Sequence, residues 1–324
     1  MKILVVGGAG YLGGSVTDLL MRTNHELLVY DVLLYEDFYR KKVPFVLGDV
    51  RDYAALKKHL AWADAVVWLA AIVGDPACAI RESLTQAVNR DSVRWLRENF
   101  SGPIVFMSTC SVYGANTEVL DETSALNPLS LYARTKVEAE NILAGSNAVC
   151  FRLGTLFGVS DEFARQRFDL VVNTLVMRAV YHGRISVFGG SQFRPLLHVR
   201  DVAPAIVRAL ETQARGIYNL HYDNYKIIDI VKTIENHFPD LKVETTAEQF
   251  EDKRNYSVSS AKAKKDLGFA PAVSLDLGIR ELKQLLEEKR IKNTFFTRFS
   301  NYEHLRHLLA EHPSPLGREL KLEI

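Results

Sequence analysis

The chain has 324 residues, which at roughly 150 residues per domain corresponds to one large or two modest domains and excludes a disulfide-stabilised miniprotein. Lys and Arg total 40 against 39 Asp and Glu, so the net charge is +1 and no basic excess is present to hold nucleic acid through its phosphates. Hydrophobic residues make up 48% of the sequence and charged residues 24%, as is typical of a globular protein.

Two further features bear on where the protein works. The longest uncharged apolar run, residues 65–73, is far shorter than the roughly 20 residues of a membrane helix, and the N-terminal residues make a poor signal peptide. The three cysteines, Cys78, Cys110 and Cys150, are odd in number and widely spaced, which fits reduced thiols better than disulfides or a zinc site. We therefore expect a cytoplasmic protein with no membrane span and no metal site.

The first 150 residues alternate short β-branched runs with amphipathic stretches, a pattern typical of a parallel sheet covered by helices. The predicted strands are residues 3–6, 26–30, 44–47, 65–69, 104–107 and 148–151. Right-handed crossovers between such strands give a doubly wound parallel sheet, so we predict an α/β, Rossmann-type domain over residues 1–155.

After Arg152 the alternation loosens. The glycine-rich and charged stretches at residues 158–167 and 183–194 are predicted as turns. Helices are predicted at residues 170–181, 202–211 and 227–237. We expect a smaller, mixed α/β domain over residues 156–290, interleaved with the first.

Residues 291–324 form a predicted C-terminal extension. The last segment, residues 289–324, combines basic residues with the aromatic residues Phe295, Phe296, Phe299 and Tyr302. This pattern predicts a C-terminal helix packed on the body of the protein. Binding to a membrane surface or to another subunit are the alternatives.

Three spaced glycines open the first predicted helix. The motif Gly7-x-x-Gly10-x-x-Gly13 follows an apolar strand and precedes an amphipathic stretch, the context in which it is informative. Gly7 permits a tight turn, Gly10 lets the backbone approach a pyrophosphate, and Gly13 allows close contact between helix and strand. The helix N-terminus then offers free N–H groups to phosphates. The motif predicts a dinucleotide site, and a flexible glycine turn is the alternative.

Residues at the ends of the predicted strands favour the dinucleotide. Asp31 ends the second strand, where a carboxylate accepts hydrogen bonds from the adenosine ribose and repels a 2′-phosphate, so NAD is favoured over NADP. The third and fourth strands end at the same sheet edge. The predicted cofactor-binding residues are Gly7, Gly10, Tyr11, Leu12, Gly13, Asp31, Asp49, Val50, Leu69, Ala70 and Ala71, with Tyr132 and Lys136.

Tyr132 and Lys136 lie four residues apart, on one face of a predicted helix, and the fifth strand ends in the hydroxyls of Ser108, Thr109 and Ser111. With these residues the chain resembles the extended short-chain dehydrogenase/reductases, in particular the nucleotide-sugar epimerases and dehydratases. The resemblance covers residues 1 to about 285. The motifs that carry it are the spaced glycines, Asp31, Gly48-Asp49-Val50, Ser108-Thr109-x-Ser111-Val112-Tyr113-Gly114, Tyr132-x-x-x-Lys136 and Arg152-Leu153-Gly154-Thr155-Leu156-Phe157-Gly158.

The resemblance implies a set of roles. Tyr132 is the acid/base, Lys136 also binds the nicotinamide ribose, and Thr109 donates a hydrogen bond to the reacting oxygen. It further implies NAD as cofactor, a nucleotide-diphosphate sugar as substrate, and a homodimer formed through a four-helix face that includes the helix of Tyr132.

A tyrosine base needs a lowered pKa. A free tyrosine has a pKa of about 10, and lowering it by about three units requires roughly 4 kcal/mol of preferential phenolate stabilisation. An exposed ion pair contributes about 0–1 kcal/mol. We therefore expect Lys136 and the oxidised nicotinamide, in a water-poor cleft, to lower the pKa of Tyr132 together. An ordinary half-buried helix tyrosine is the alternative.

The residues after Thr109 bear on the reaction. Sugar 4,6-dehydratases of the resembled family carry an Asp-Glu pair there, whereas this chain has Cys110-Ser111, so dehydration is disfavoured. Cys110 is interpreted as a small residue beside the strand end, with a proton donor in epimerisation as the alternative. A C4 epimerase or a 4-oxidase/reductase acting through a 4-keto sugar needs no added group.

The substrate residues are also carried over by resemblance. Arg194 lies in a segment similar to the one whose arginine binds the sugar-nucleotide pyrophosphate, and Arg254 lies in a second such segment; a surface salt bridge is the alternative for each. Residues 165–173, which end at Asn173, resemble a bacterial branch acting on GDP-activated heptoses and deoxysugars, so Asn173 is a predicted substrate residue. Thr155 departs from the family, in which many members carry Asn.

Two other functions stay open at this point. One is a reductase of small carbonyl compounds on the same scaffold, which Arg194 and Arg254 argue against. The other is a catalytically silent NAD-binding sensor, which the presence of Thr109, Tyr132 and Lys136 argues against.

Overall fold

The computed structural model describes residues 1–161, 163, 165–246, 254–291, 293, 294 and 296–311. The strands are β1 (Lys2–Val6), β2 (Glu26–Asp31), β3 (Phe45–Leu47), β4 (Ala65–Trp68), β5 (Ile104–Thr109), β6 (Ala115–Leu120), β7 (Ala148–Leu153), β8 (Thr155–Phe157), β9 (Arg184–Phe188), β10 (Phe193–His198), β11 (Gly216–Leu220), β12 (Asp223–Lys226), β13 (Lys242–Thr246) and β14 (Asn255–Val258). The helices are α1 (Tyr11–Leu20), α2 (Tyr53–Leu60), α3 (Asp75–Ile80), α4 (Glu82–Gln86), α5 (Ser92–Asn99), α6 (Leu131–Leu143), α7 (Val171–His182), α8 (Val202–Thr212), α9 (Ile227–Glu235), α10 (Ala261–Leu267), α11 (Leu275–Glu287) and α12 (Asn301–Glu311).

Seven parallel strands form the main sheet, in the order β11-β7-β5-β4-β1-β2-β3. Strands β4, β5 and β7 are buried along their whole length, because helices cover both faces. One apolar cluster lies under α1 and α8, and another lies under α2, α5 and α6. The predicted doubly wound sheet is confirmed, and the carboxyl ends of its strands meet at one edge, where ligands of open α/β sheets bind.

The second half of the chain builds three small sheets, of strands β12-β10-β8, β13-β9 and β14-β6. Helices α7, α9 and α11 pack against this part through Val176, Ile230 and Ile279. Strand β11 and helix α8 belong to the main sheet and its covering layer, so the two halves are interleaved. The predicted boundaries at residues 155 and 290 stay a prediction.

The prediction of a turn over residues 183–194 is wrong. Strand β9 lies within this stretch, and β10 begins at its end. The side chains of Ile185 and Val187 are buried against α7 and α9, and this tertiary burial outweighs the turn preference of the glycines at both ends.

The C-terminal extension packs on the body as expected. Helix α12 buries Leu305 and Leu309 against Ile72, Cys78 and Leu84. The predicted residue Phe295 and residues 312–324 lie outside the described residues. In the part of the chain that the structure describes, no helix has the length and apolar character needed to cross a bilayer.

Candidate active site

A large cleft of about 1300 Å³ opens at the carboxyl edge of the main sheet. Sites for drug-sized ligands usually measure about 300–1,000 Å³, so this cleft has room for a dinucleotide and a second ligand. All the predicted cofactor-binding and catalytic residues line it, together with Arg194 and Arg254. Thr155 also lies in its wall.

The glycine turn has the shape that a dinucleotide needs. Gly7 has φ +85°, and a Cβ there would lie 2.4 Å from the backbone nitrogen of Ala70. A Cβ on Gly13 would lie 2.5 Å from the backbone of Gly8, whereas a Cβ on Gly10 would meet its nearest atom at 3.6 Å. Gly10 precedes α1 without a side-chain cap, and the first turn of α1 carries no acidic residue. The amide groups and positive end of α1 therefore stay available to phosphate oxygens, and the residues present fit NAD.

Two predicted carboxylates shape the same wall. Asp31 accepts hydrogen bonds from the backbone amides of Ala9 (2.9 Å) and Leu33 (2.7 Å), which fixes the turns on both sides of the adenosine position. Asp49 is buried and accepts hydrogen bonds from the guanidinium of Arg51. Arg51 also lines the cleft, and the sequence analysis did not identify it.

Strand β5 and helix α6 bring Thr109, Tyr132 and Lys136 together. The ammonium of Lys136 donates to the carbonyl of Met107 (2.8 Å) and lies 5.9 Å from the centroid of the Tyr132 ring. The side chains of Tyr132 and Thr109 both line the cleft. Ser130 caps α6 by accepting from the amide of Ala133 (3.2 Å). The predicted catalytic group thus occupies one position in the cleft.

The sequence predicts a lowered pKa for Tyr132 when Lys136 and the oxidised nicotinamide act together, and the chain without the nicotinamide does not provide it. Burial raises the pKa of Tyr132 above its ordinary value, and the charge of Arg167 and the side chain of Thr109 lower it by less. Burial also lowers the pKa of Lys136 to about 8. The chain alone therefore keeps the phenol protonated, because desolvation disfavours the phenolate more strongly than the nearby cations favour it.

A buried polar network holds α6 against the sheet. Glu140 of α6 pairs with Arg152 of β7 (2.6 Å) and accepts a hydrogen bond from Ser108 of β5. Arg152 also donates to the hydroxyl of Tyr113 (2.9 Å). Both charges are buried and satisfied, so the network positions the helix that carries Tyr132.

Arg194 and Arg254 meet although 60 residues separate them in sequence. The buried guanidinium of Arg194 donates to the carbonyls of Phe193 (2.8 Å) and Arg254 (2.5 Å). The guanidinium of Arg254 lies 3.3 Å from the carboxylate of Asp75 and 3.5 Å from the hydroxyl of Ser111. The two arginines form a cationic part of the cleft beside the catalytic group.

The structure does not bring Asn173 to the cleft. Its side chain is fully buried, and its amide bonds with the backbone of Gly158 (2.9 Å) and the carbonyl of Arg167 (2.8 Å). These contacts occupy its amide in joining α7 to the preceding loop, and the substrate role of Asn173 stays a prediction.

Cys110 and Ser111 point in different directions. Cys110 is fully buried, donates from Sγ to the carbonyl of Arg152 (3.2 Å), and has a pKa raised by burial. Ser111 lines the cleft, and its hydroxyl lies 3.2 Å from that of Tyr256. The geometry fits Cys110 as a packing residue rather than a proton donor.

Sequence reasoning missed several residues of the cleft wall. They are Arg51, Asp75, Ser111, Arg165, Arg167, Tyr256 and Asn301. Ser111 stood within a quoted motif, and Arg165 and Arg167 stood within the segment 165–173, so a signal existed for these three. Asn301 lies in the C-terminal extension, where composition was the only basis for a prediction.

Comparisons with known proteins agree with this geometry. The model of the NAD dependent epimerase/dehydratase family matches residues 3–221. The chain is 26% identical over 314 residues to the UDP-glucose 4-epimerase of Lactobacillus helveticus, covering 84% of this chain and 92% of that one. It is 25% identical over 328 residues to the dTDP-glucose 4,6-dehydratase of Neisseria gonorrhoeae, covering 87% and 94%. The structure of the Thermus thermophilus UDP-glucose 4-epimerase in complex with NAD superposes with a TM-score of 0.78 at 24% identity, covering 89% of this chain and all of that one.

The fold and the site together define an NAD-dependent enzyme of the short-chain dehydrogenase/reductase class. The chain belongs to the NAD dependent epimerase/dehydratase family.

Proposed function

We propose that the protein acts at C4 of a nucleotide-diphosphate sugar through a 4-keto species, as a 4-epimerase or a 4-oxidase/reductase. The observation that carries this proposal is that Thr109, Tyr132 and Lys136 share one cleft with the glycine turn and with the Arg194–Arg254 pair. GDP-activated heptoses and deoxysugars are among the candidate substrates, on the resemblance of residues 165–173.

In the proposed reaction each residue of the site has a separate role. When bound, NAD supplies a hydride acceptor and donor. Tyr132 exchanges a proton with the C4 oxygen, and Thr109 holds that oxygen by a second hydrogen bond. Lys136 carries positive charge below a pH of about 8 and favours the phenolate when Tyr132 loses its proton. Arg194 and Arg254 hold the substrate diphosphate, whose oxygens suit planar guanidinium donors.

The contents of the cleft argue against dehydration. Eliminating water needs an additional acid and base, which the related dehydratases have directly after the threonine. Here one of those positions is the buried thiol of Cys110 and the other is the neutral hydroxyl of Ser111. Asp75 lines the cleft but is paired with Arg254 and accepts from Ser130 (2.6 Å).

The test follows deuterium from C4. NAD-loaded protein is incubated with UDP-, dTDP- and GDP-sugars that carry deuterium at C4, and the products are analysed by NMR and mass spectrometry. We expect the deuterium at C4 of an epimer for a 4-epimerase, or on the nicotinamide for a net oxidation. Deuterium on C6 together with loss of one water would instead demonstrate elimination and refute the proposal.

A matched variant tests the role of Cys110. Because this thiol is fully buried, Cys110→Ala should give the same labelled product as the wild type. Loss of epimerisation with retained oxidation in this variant would make Cys110 the proton donor.

A further inference from the structure

The C-terminal segment, defined as residues 297–311, forms part of the cleft wall. Asn301, Tyr302, Leu305 and Leu309 of this segment line the same cleft as Gly10 and Asp31. The cleft therefore combines residues from near the end of the chain with residues from near its beginning.

Asn301 joins this segment to three other parts of the wall. Its backbone amide donates to Asp169 (2.8 Å), its side-chain nitrogen donates to the carbonyl of Val73 (2.8 Å), and its side-chain oxygen accepts from Arg165 (2.6 Å). The side chain of Asn301 is buried, so these bonds fix the start of α12 on the cleft.

Arg165 is a buried cation at this junction. It is 4% exposed, donates to the carbonyl of Arg298 (2.6 Å), and its guanidinium carbon lies 3.8 Å from the centroid of the Tyr35 ring. Among the described residues no carboxylate lies within 4.0 Å of it, and its Nε has no hydrogen-bond partner. Of the carboxylates whose charge reaches it, Asp169 pairs with Arg167 and Glu36 pairs with Arg298.

A buried charge of this kind normally has a partner of opposite sign. Arg165 lines a cleft that takes an anionic cofactor, and the hydroxyl of Tyr35 beside it is also buried without a partner in the described part of the chain. Because Arg165 lines this cleft, we expect its partner of opposite sign to be a ligand bound there.

The position of Arg165 selects the ligand. Tyr35, on which Arg165 stacks, follows Asp31 by four residues, and Asp31 accepts a hydrogen bond from the amide of Ala9 in the glycine turn before α1. Arg194 and Arg254, by contrast, lie with Ser111 and Asp75.

We propose that Arg165, held by Asn301 and stacked on Tyr35, is a second anchor for the diphosphate of the dinucleotide, in addition to the one that the N-terminus of α1 provides. The C-terminal segment thereby retains the cofactor in the cleft. This inference rests on the NAD site and not on the sugar substrate.

The experiment measures binding to cofactor-stripped protein by titration calorimetry with NAD, ADP and adenosine. A hydrogen bond to a charged group contributes more to binding than a neutral one does. Arg165→Gln should therefore weaken the binding of NAD and of ADP tenfold or more, and change the affinity for adenosine by less than twofold. Asn301→Ala should also weaken the binding of NAD and of ADP, by a smaller factor. Arg306→Gln is the matched control, because Arg306 lies on α12 with Asn301 and its ion pair is with Glu303 of the same helix.

An Arg165→Gln protein that binds ADP like the wild type, or that loses adenosine as strongly as ADP, would overturn the inference. If this variant does not fold, hydrogen exchange of the wild type decides the matter. ADP should slow exchange in residues 297–311 and adenosine should not, and equal exchange with both would reject the second anchor. Neither measurement uses a nucleotide-sugar substrate, so a failure of the proposed C4 chemistry would leave both results intact.

Discussion

Tyr132 has a protonated resting state that follows from its surroundings. Burial raises the pKa of its phenol, and burial also lowers the pKa of Lys136 to about 8. Arg167, whose charge lowers the pKa of Tyr132, shares its own charge with Asp169 (2.9 Å). Loss of the proton from Tyr132 therefore requires further positive charge in the cleft, beyond what the chain supplies.

Replacing Tyr132 by Phe removes the proton carrier and keeps the ring. We expect turnover to fall about 10²–10⁴-fold, the usual contribution of general acid–base catalysis, while NAD affinity changes less than about threefold. Steady-state kinetics and NAD titration measure the two effects. Tyr302→Phe is the control, since it removes a hydroxyl from another tyrosine of the same cleft. Wild-type turnover in the Tyr132 variant would remove this residue from the mechanism.

Arg254→Gln tests the proposed substrate diphosphate site. A lost charge-assisted contact of about 1.5–3 kcal/mol corresponds to a tenfold or greater rise in the KM of the sugar nucleotide, with unchanged NAD affinity. The control is Arg280→Gln, because Arg280 pairs with Asp276 at the exposed surface of α11. A variant whose NAD affinity falls and whose KM stays the same would move Arg254 to the cofactor side.

At the scale of elements, the turn between β1 and α1 contains two glycines that are needed for different reasons. Gly13 is required by the packing of the protein itself, since a Cβ there would overlap the backbone of Gly8. Gly10 has ordinary φ and open space before it, so its lack of a side chain serves the ligand. The two positions can therefore be distinguished experimentally.

Gly10→Ala should bind NAD at least tenfold more weakly and change the free energy of unfolding by less than about 1 kcal/mol. Gly13→Ala should lower the free energy of unfolding by about 1–3 kcal/mol, because overpacking forces the backbone to shift. Denaturant unfolding and NAD titration on both variants make the comparison. Equal loss of stability in the two would show that Gly10 is also a packing residue.

Strands and helices with a local hydrophobic or turn pattern could be predicted from the sequence, and those without one could not. Strands β1, β2, β4, β5 and β7 were predicted because each is an apolar run between turn residues, and the start of α1 was marked by its glycines. Strand β9 was missed because its strand character comes from its pairing with β13 and from burial with α9, both of which are distant in sequence. The roles of Arg165 and Asn301 were missed for the same reason.

At the scale of the whole molecule, burial of the cysteines makes stability depend on pH. All three thiols are buried; burial raises the pKa of Cys78 to about 12 and raises those of Cys110 and Cys150 as well. Because the folded pKa exceeds the unfolded value of about 8.5, the unfolded chain releases protons that the folded chain keeps. Their contribution to stability is complete below about pH 8.5 and is lost as the pH rises above it.

The free energy of unfolding should therefore fall between pH 7.5 and 9.5 by about 1.4 kcal/mol more per buried thiol than in a protein without that thiol. Denaturant unfolding of the wild type and of the Cys110→Ala, Cys150→Ala double variant at both pH values measures this difference. The lowered pKa of Lys136 acts in the opposite direction and is influenced by Cys150, so the Cys110→Ala single variant is measured as well. The same pH dependence in both proteins would contradict the prediction.

The homodimer and its helical face stay a prediction from the resemblance. For the single chain, the sequence by itself determined the wound sheet, the glycine turn, NAD over NADP, and the Tyr132–Lys136 pair, because each depends on periodicity or on spacing within one element. Only the tertiary structure showed that the Asn173 amide is hydrogen-bonded within the protein and that Cys110 is buried. It also showed that Arg165 lines the cleft and is held there by Asn301. Those outcomes depend on which distant side chains share a volume and exclude water from it, which no local pattern encodes.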